Sequence, residues 1–221
     1  MEEIELEKQR IIMNERMRRE SFLSIVGAFE PEEKDILRIL ITDNAAYPIG
    51  TIRNRIIEEM AKSNKNSLLL IYGIKPEVLT NIEKKIETTD GKLTETEIKA
   101  IAGLKAEGSD GIDLVFSFLS DETLIKLYKI LRGGYGGPES LTSKIKLWEK
   151  ALKHKLKKKV PSWDGIDSAM TNLKNYGLVD ERKVIGKNTD TIYFIPSALY
   201  NLYEELQKKP KKTAAEAFWF S

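Results

Sequence analysis

Residues 164–196 read DGIDSAMTNLKNYGLVDERKVIGKNTDTIYFIP, and the spacing of the apolar residues in this stretch decides the fold class. Ile166, Met170, Leu173 and Tyr176 recur at intervals of four and three, which stacks them on one face of a helix predicted over 164–176. The opposite side then carries Ser168, Thr171, Asn172, Lys174 and Asn175. Gly177 stands where a left-handed residue ends a helix, and Leu178 just beyond it can fold back onto the last turn. Strand-forming composition follows on both sides of a polar turn, Gly186 to Thr189, which predicts a hairpin with arms at 178–186 and 190–195. Pro196 and Ser197 start a final helix at 198–208, with Leu199, Leu202, Tyr203 and Leu206 as its apolar stripe.

The run Ala169-Met170-x-x-Leu173-Lys174-x-Tyr176-Gly177-Leu178-Val179, followed by a charged hairpin, resembles the recognition helix and wing of winged-helix DNA-binding domains. These winged helix-turn-helix domains are common among archaeal and bacterial transcription regulators, and the likeness covers the C-terminal third. It implies double-stranded DNA as the partner, with the 164–176 helix in the major groove. Asn172 and Asn175 would reach adenine edges, and Ser168, Thr171 and Lys174 lie on the same side. Arg182, Lys183, Lys187 and Asn188 on the wing, with Lys155, Lys157, Lys158 and Lys159 before the helix, would grip the phosphate backbone.

The charge distribution agrees with that expectation. Residues 141–212 hold 16 Lys+Arg against 8 Asp+Glu, so the stretch carries +8 while the whole chain carries +2. Its densest run, Lys150 to Lys159, is predicted on a helix whose buried face holds Leu141, Ile145, Trp148, Leu152 and Leu156. A solvated helix face is the plainer reading of such a run taken alone.

Composition fixes the broader class. The 221 residues, 41% hydrophobic and 32% charged, suffice for one or two domains with a real core. No window approaches the roughly 18 apolar residues of a membrane span, and the acidic start Met1-Glu2-Glu3 is unlike a secretory signal, so a cytoplasmic location is expected. Without cysteine and with one histidine, the chain has no thiolate or histidine cluster for a metal or cofactor. Asp164 and Asp167 lie one helical turn apart, but carboxylates near a helix start serve the helix dipole more often than catalysis, and no enzyme is expected.

Upstream the chain reads as helical. Residues 1–27 form a charged arm with Ile4, Leu6, Ile11, Met13, Met17 and Phe22 as an incomplete stripe, for dimerisation or for packing on its own domain. A helical domain is expected over 28–132. Within it, Glu30-Pro31-Glu32-Glu33 opens a helix rich in buried-type residues (Ile36, Leu37, Ile39, Leu40, Ile41), and a second helix follows at 49–61. Together 31–61 would make a second helix-turn-helix, with Thr51, Arg53 and Asn54 at the reading position and Arg53 and Arg55 facing outward. Residues 68–72 are either one strand or a buried helix turn. The run Asp90-Gly91-Lys92-Leu93 with Glu97 imitates part of a calcium loop, but Ile86 and Thr88 would occupy its first and third ligand positions. A turn followed by a capping box of Thr94 and Glu97 explains it better.

Gly133-Gly134-Tyr135-Gly136-Gly137-Pro138 cannot stay helical, so 133–139 is expected to link the helical half to a winged-helix domain at 140–207. The basic tail at 208–221 ends in Phe218, Trp219 and Phe220, which either fold back on the chain or dock on a partner, a second copy included. The expected fold is therefore mainly α, an α+β chain with a helical first half and a C-terminal winged helix carrying a two-stranded wing. The expected function is DNA binding, as a dimeric transcription regulator or a replication or plasmid-maintenance factor. The alternative is a winged-helix adaptor in a multiprotein complex, contacting its partners through the N-terminal helix or the aromatic tail.

Overall fold

The computed structural model of the chain describes residues 20–88, 94–102, 109–132, 139–184 and 190–208. Most of the expected N-terminal arm lies outside them, as do the Asp90-Gly91 turn and the glycine-rich stretch 133–138. So do the hairpin tip with Lys187 and Asn188 and the tail with Phe218, Trp219 and Phe220. The chain is mainly helical, with one small antiparallel sheet.

A helix at 20–27 (α1) precedes α2 (Pro31–Asp43), strand β1 (Tyr47–Pro48), α3 (Ile49–Ser63), α4 (Lys65–Ile71) and α5 (Glu77–Thr88). Then come α6 (Glu95–Ala102), α7 (Ser109–Ser117), α8 (Asp121–Arg132), α9 (Glu139–His154) and α10 (Trp163–Asn175). Strands β2 (Asp180–Val184) and β3 (Asp190–Phe194) and helix α11 (Ser197–Gln207) complete the order.

These elements form two compact units whose boundaries differ from those expected. Residues 57–160 are one unit; the chain up to Ile56 and from Pro161 onward is the other, interrupted by the first. Of the expected 31–61 helix-turn-helix, residues 31–56 share a body with α10 and the hairpin while the end of α3 lies past the boundary, and α9, expected to open the C-terminal domain, belongs with 57–160. The physical reason lies in α2: its wholly buried Ile36, Leu37 and Leu40 need cover, and α10 packs along this helix with Ile166, Ala169, Met170 and Leu173 buried.

In this interrupted unit α2 opens with a capping box. The Glu33 carboxylate accepts the backbone N–H of Glu30 at 2.9 Å. Glu33 itself is 5% exposed, and its other oxygen accepts the side-chain amide of Asn172 at 2.9 Å, which pins α2 to α10. Helix α10 is capped by Ser162, whose hydroxyl accepts the N–H of Gly165, and ends at Gly177 in the left-handed region with φ +67. The N–H of Leu178 returns to the Leu173 carbonyl at 3.0 Å. Tyr176, expected on the buried stripe, is 65% exposed, because it is the capping residue after the last turn and lays its ring 5.5 Å from that of Phe29.

The sheet runs β1-β3-β2, all antiparallel. Strand β1 is only two residues long, pairing Tyr47 with Tyr193 and Pro48 with Ile192, and escapes the sequence because its length carries no alternation. The hairpin register sets Asp180 opposite Phe194, Arg182 opposite Ile192 and Val184 opposite Asp190.

Helices are the regular elements among the described residues of the 57–160 unit, so 68–72 belongs to a helix and its following turn. One core cluster gathers Ile74, Ile82, Ile98, Val115 and Leu127; a second gathers Ile57, Leu68, Leu114, Trp148 and Leu152. The buried Trp148 indole donates to the Ser117 hydroxyl at 2.8 Å, and that hydroxyl donates to the Leu114 carbonyl at 2.7 Å. The Thr94–Glu97 capping box is present: the Thr94 N–H donates to the Glu97 carboxylate at 2.7 Å, and the Glu97 N–H to the Thr94 hydroxyl at 3.3 Å. The Thr94 backbone N–H, and next the Thr94 hydroxyl donating to the same carboxylate at 2.9 Å, hold the Glu97 carboxyl below its ordinary value.

Helix α9 ends at His154, so Lys155, Lys157, Lys158 and Lys159 lie in the turn after it and not on a continuous helix as expected. Lys157 takes a left-handed conformation with φ +51, and the Lys158 N–H reaches the Leu152 carbonyl at 2.9 Å. A side chain in that region costs about 1–2 kcal/mol. Lys157→Gly is therefore expected to raise stability by up to about 1 kcal/mol, the looser unfolded chain offsetting part of the gain. A denaturant midpoint that moves down would contradict this account of the turn.

Candidate nucleic-acid interface

The interface expected from the sequence centres on α10, whose buried face fixes what its other side presents. With Ile166, Ala169, Met170 and Leu173 turned inward, the residues farthest from the core are Asp164, Asp167, Ser168, Thr171 and Asn175, all exposed. The Thr171 hydroxyl donates to the Asp167 carbonyl at 2.9 Å, leaving its oxygen lone pairs as acceptors.

Two of the expected contact residues are engaged elsewhere. Asn172 gives its amide to Glu33, and Lys174 gives its ammonium to Glu181 of β2 at 2.6 Å. The Glu181 hydrogen bond is also the main reason the Lys174 ammonium holds its proton more firmly than usual. A sequence pattern places both residues on the polar side of a helix, but cannot show that α2 and β2 flank that side.

The hairpin divides its own basic residues. Successive strand residues point to opposite faces, so Glu181 and Lys183 share one face and Arg182 the other. Glu181 meets Lys174, which places Lys183 on the α10 side of the sheet and Arg182 on the far side. Arg182 is therefore turned away from the surface expected for it.

At the start of α10 stands Trp163, 53% exposed, with the Arg53 guanidinium 4.9 Å from its ring centre. Arg53 was expected to face outward as a reader. It is instead 5% exposed, and its Nε donates to the Pro161 carbonyl at 3.1 Å. Arg55 pairs with Asp43 at 2.9 Å, and the Tyr47 hydroxyl donates to the same carboxylate at 3.0 Å. Both arginines thus hold the unit together. The sequence signal that would have found this is the apolar run at 36–41, which demands a partner helix close by.

Lys155, Lys157, Lys158 and Lys159 are exposed in the 57–160 unit, with the Lys155 ammonium 5.6 Å from the ring centre of Tyr72. That unit holds 19 Lys+Arg against 15 Asp+Glu, net +4, and the interrupted unit holds 17 against 19, net −2. The excess of positive charge counted over 141–212 thus belongs to parts of two bodies. Among the described residues no helix is long and apolar enough to cross a membrane. No protein-family model, curated protein or solved structure matches the chain.

Proposed function

We propose that the interrupted unit is a winged helix built on α2, α3 and α10, with residues 57–160 entering within α3 and leaving just before α10, and that it binds double-stranded DNA. The observation that carries this reading is the uncovered Ser168–Thr171–Asn175 face of α10 directly before a two-stranded hairpin, with α2, α3 and the short strand β1 completing three helices and a sheet. Asn175 is the residue with the geometry for an adenine edge, Ser168 and Thr171 offer hydroxyls to bases or phosphates, and Lys183 offers a charge to the backbone. Asn172 and Lys174 support this face through Glu33 and Glu181 in place of reading bases. The exposed lysines of the 155–159 turn form a second phosphate-binding element. Regulation of transcription or of replication is the role such a module serves.

A salt-titrated gel shift on random and on A/T-rich duplexes tests the proposal. Lys183→Glu and Lys158→Glu are each expected to flatten the dependence of log K on log salt by about 0.9. Asn175→Ala should keep the slope and reduce discrimination between sequences about tenfold, as for loss of one bidentate base contact. Absence of any shift at about 50 mM salt, where backbone contacts are strongest, sinks the reading.

Charge favours a second reading. The outward face of α10 begins with Asp164 and Asp167, its only lysine is paired with Glu181, and Trp163 and Tyr176 are exposed at its two ends. Such a face suits an adaptor that docks on another protein. In that case duplex is ignored in dilute salt, and Thr171→Arg abolishes capture of the protein partner.

A further inference from the structure

The face of the sheet turned away from α10 holds a cavity of about 270 Å³, lined by Asn44, Ala45 and Ala46 of the α2–β1 turn, Arg182 of β2, and Phe194 and Ile195 at the end of β3. The register that sends Glu181 to Lys174 sends Arg182 and Phe194 to this opposite face together. Its lining residues are thus one aromatic, one isoleucine and two alanines, with Arg182 and Asn44 as the residues that carry polar side chains. Asn44 is fixed by its left-handed backbone, φ 44, at the end of α2.

We propose that this cavity is a binding site for a small organic anion with one apolar ring, its carboxylate paired with Arg182 and its ring set against Phe194 and the Ala45 and Ala46 methyls. The planar fork of a guanidinium matches a carboxylate in two hydrogen bonds, and an aromatic wall beside it favours a flat apolar body. The volume of about 270 Å³ falls just below the roughly 300 Å³ at which pockets for larger ligands begin, which suits a guest with a single ring. The site lies on the far side of the hairpin from the α10 face. It stands whether that face meets DNA or protein, and an occupant would link strand β2 to the α2–β1 turn.

Benzoate is the probe, with benzyl alcohol as the uncharged ring and acetate as the anion without a ring. Two-dimensional amide NMR of the full chain is expected to show saturable benzoate shifts at Asn44, Ala45, Ala46, Arg182 and Ile195, with both controls at least about tenfold weaker. Arg182→Met should weaken benzoate about tenfold or more, a change of about 1.4 kcal/mol, and Ala46→Leu should remove binding by filling the rim. Unshifted amides elsewhere in the spectrum confirm that each variant is folded. Benzoate shifts that are absent, that fall outside these residues, or that survive Arg182→Met at full strength overturn the proposal.

Discussion

Arg53→Ala is expected to remove about 3 kcal/mol from the stability of the interrupted unit, far more than a reader on a helix surface would cost when lost. Three contributions add here. The Pro161 carbonyl, on a buried residue, loses the Arg53 Nε–H at 3.1 Å, and an unsatisfied buried acceptor costs about 1–3 kcal/mol. The guanidinium over Trp163 contributes about 0.5–2 kcal/mol, and the arginine stem leaves a gap in a site where it was 5% exposed. Arg53→Lys should recover only part of the loss, because an ammonium cannot donate sideways from Nε while stacking flat on an indole. Hydrogen exchange reads the result: amides of α2 and α10 should exchange about a hundredfold faster in Arg53→Ala, the factor that corresponds to roughly 3 kcal/mol. Protection that stays within a fewfold of the parent would return Arg53 to the surface.

Trp148→Ala is the counterpart in the 57–160 unit, with an expected cost of about 3–5 kcal/mol. The indole is buried between helices, its ring centre lies 5.8 Å from that of Phe118, and its N–H feeds a hydroxyl that is itself bonded to the Leu114 carbonyl. Trp148→Phe keeps most of the apolar volume and removes only the donor to Ser117, so about 1–2 kcal/mol is expected from that milder change. Denaturant unfolding followed by exchange protection in α7 and α9 separates the two variants. Equal losses for Ala and Phe would mean that the hydrogen bond, and not the packed ring, dominates at this position.

The local elements were legible because each leaves a local trace. The helix at 163–175 is written in the spacing of Ile166, Met170 and Leu173, its end in Gly177, and the hairpin in the β-branched residues on either side of a polar turn. The capping box at Thr94 and Glu97 was readable for the same reason. The assembly of those elements left no such trace. Nothing near Glu33 announces Asn172, and the glycine-rich stretch at 133–138 reports what a backbone can adopt there, not which helices bury one another. The compact units change at 56/57, in the middle of α3 where composition shows no break, and at 160/161, where the lysine run gives way to Pro161. The candidate site suffered likewise: Asn172 and Lys174 look available on a helical wheel, and only the flanking carboxylates of Glu33 and Glu181 show that they are occupied. The choice between Arg182 and Lys183 depended on a strand register that a polar turn leaves uncertain by one residue, and one residue reverses every side chain.

The interruption of one unit by the other also orders events during biosynthesis. The chain from Ile57 to Val160 leaves the ribosome as one block and can bury its own core at once. Glu33 meanwhile waits for Asn172, 139 residues behind it, a delay of roughly 10–30 s at ordinary translation rates. Throughout that interval Ile36, Leu37 and Leu40 lack their permanent neighbours, which makes α2 the segment most in need of a chaperone. Prior folding of the middle block shortens the loop that must then close, so the nascent chain is expected to mature from its centre outward.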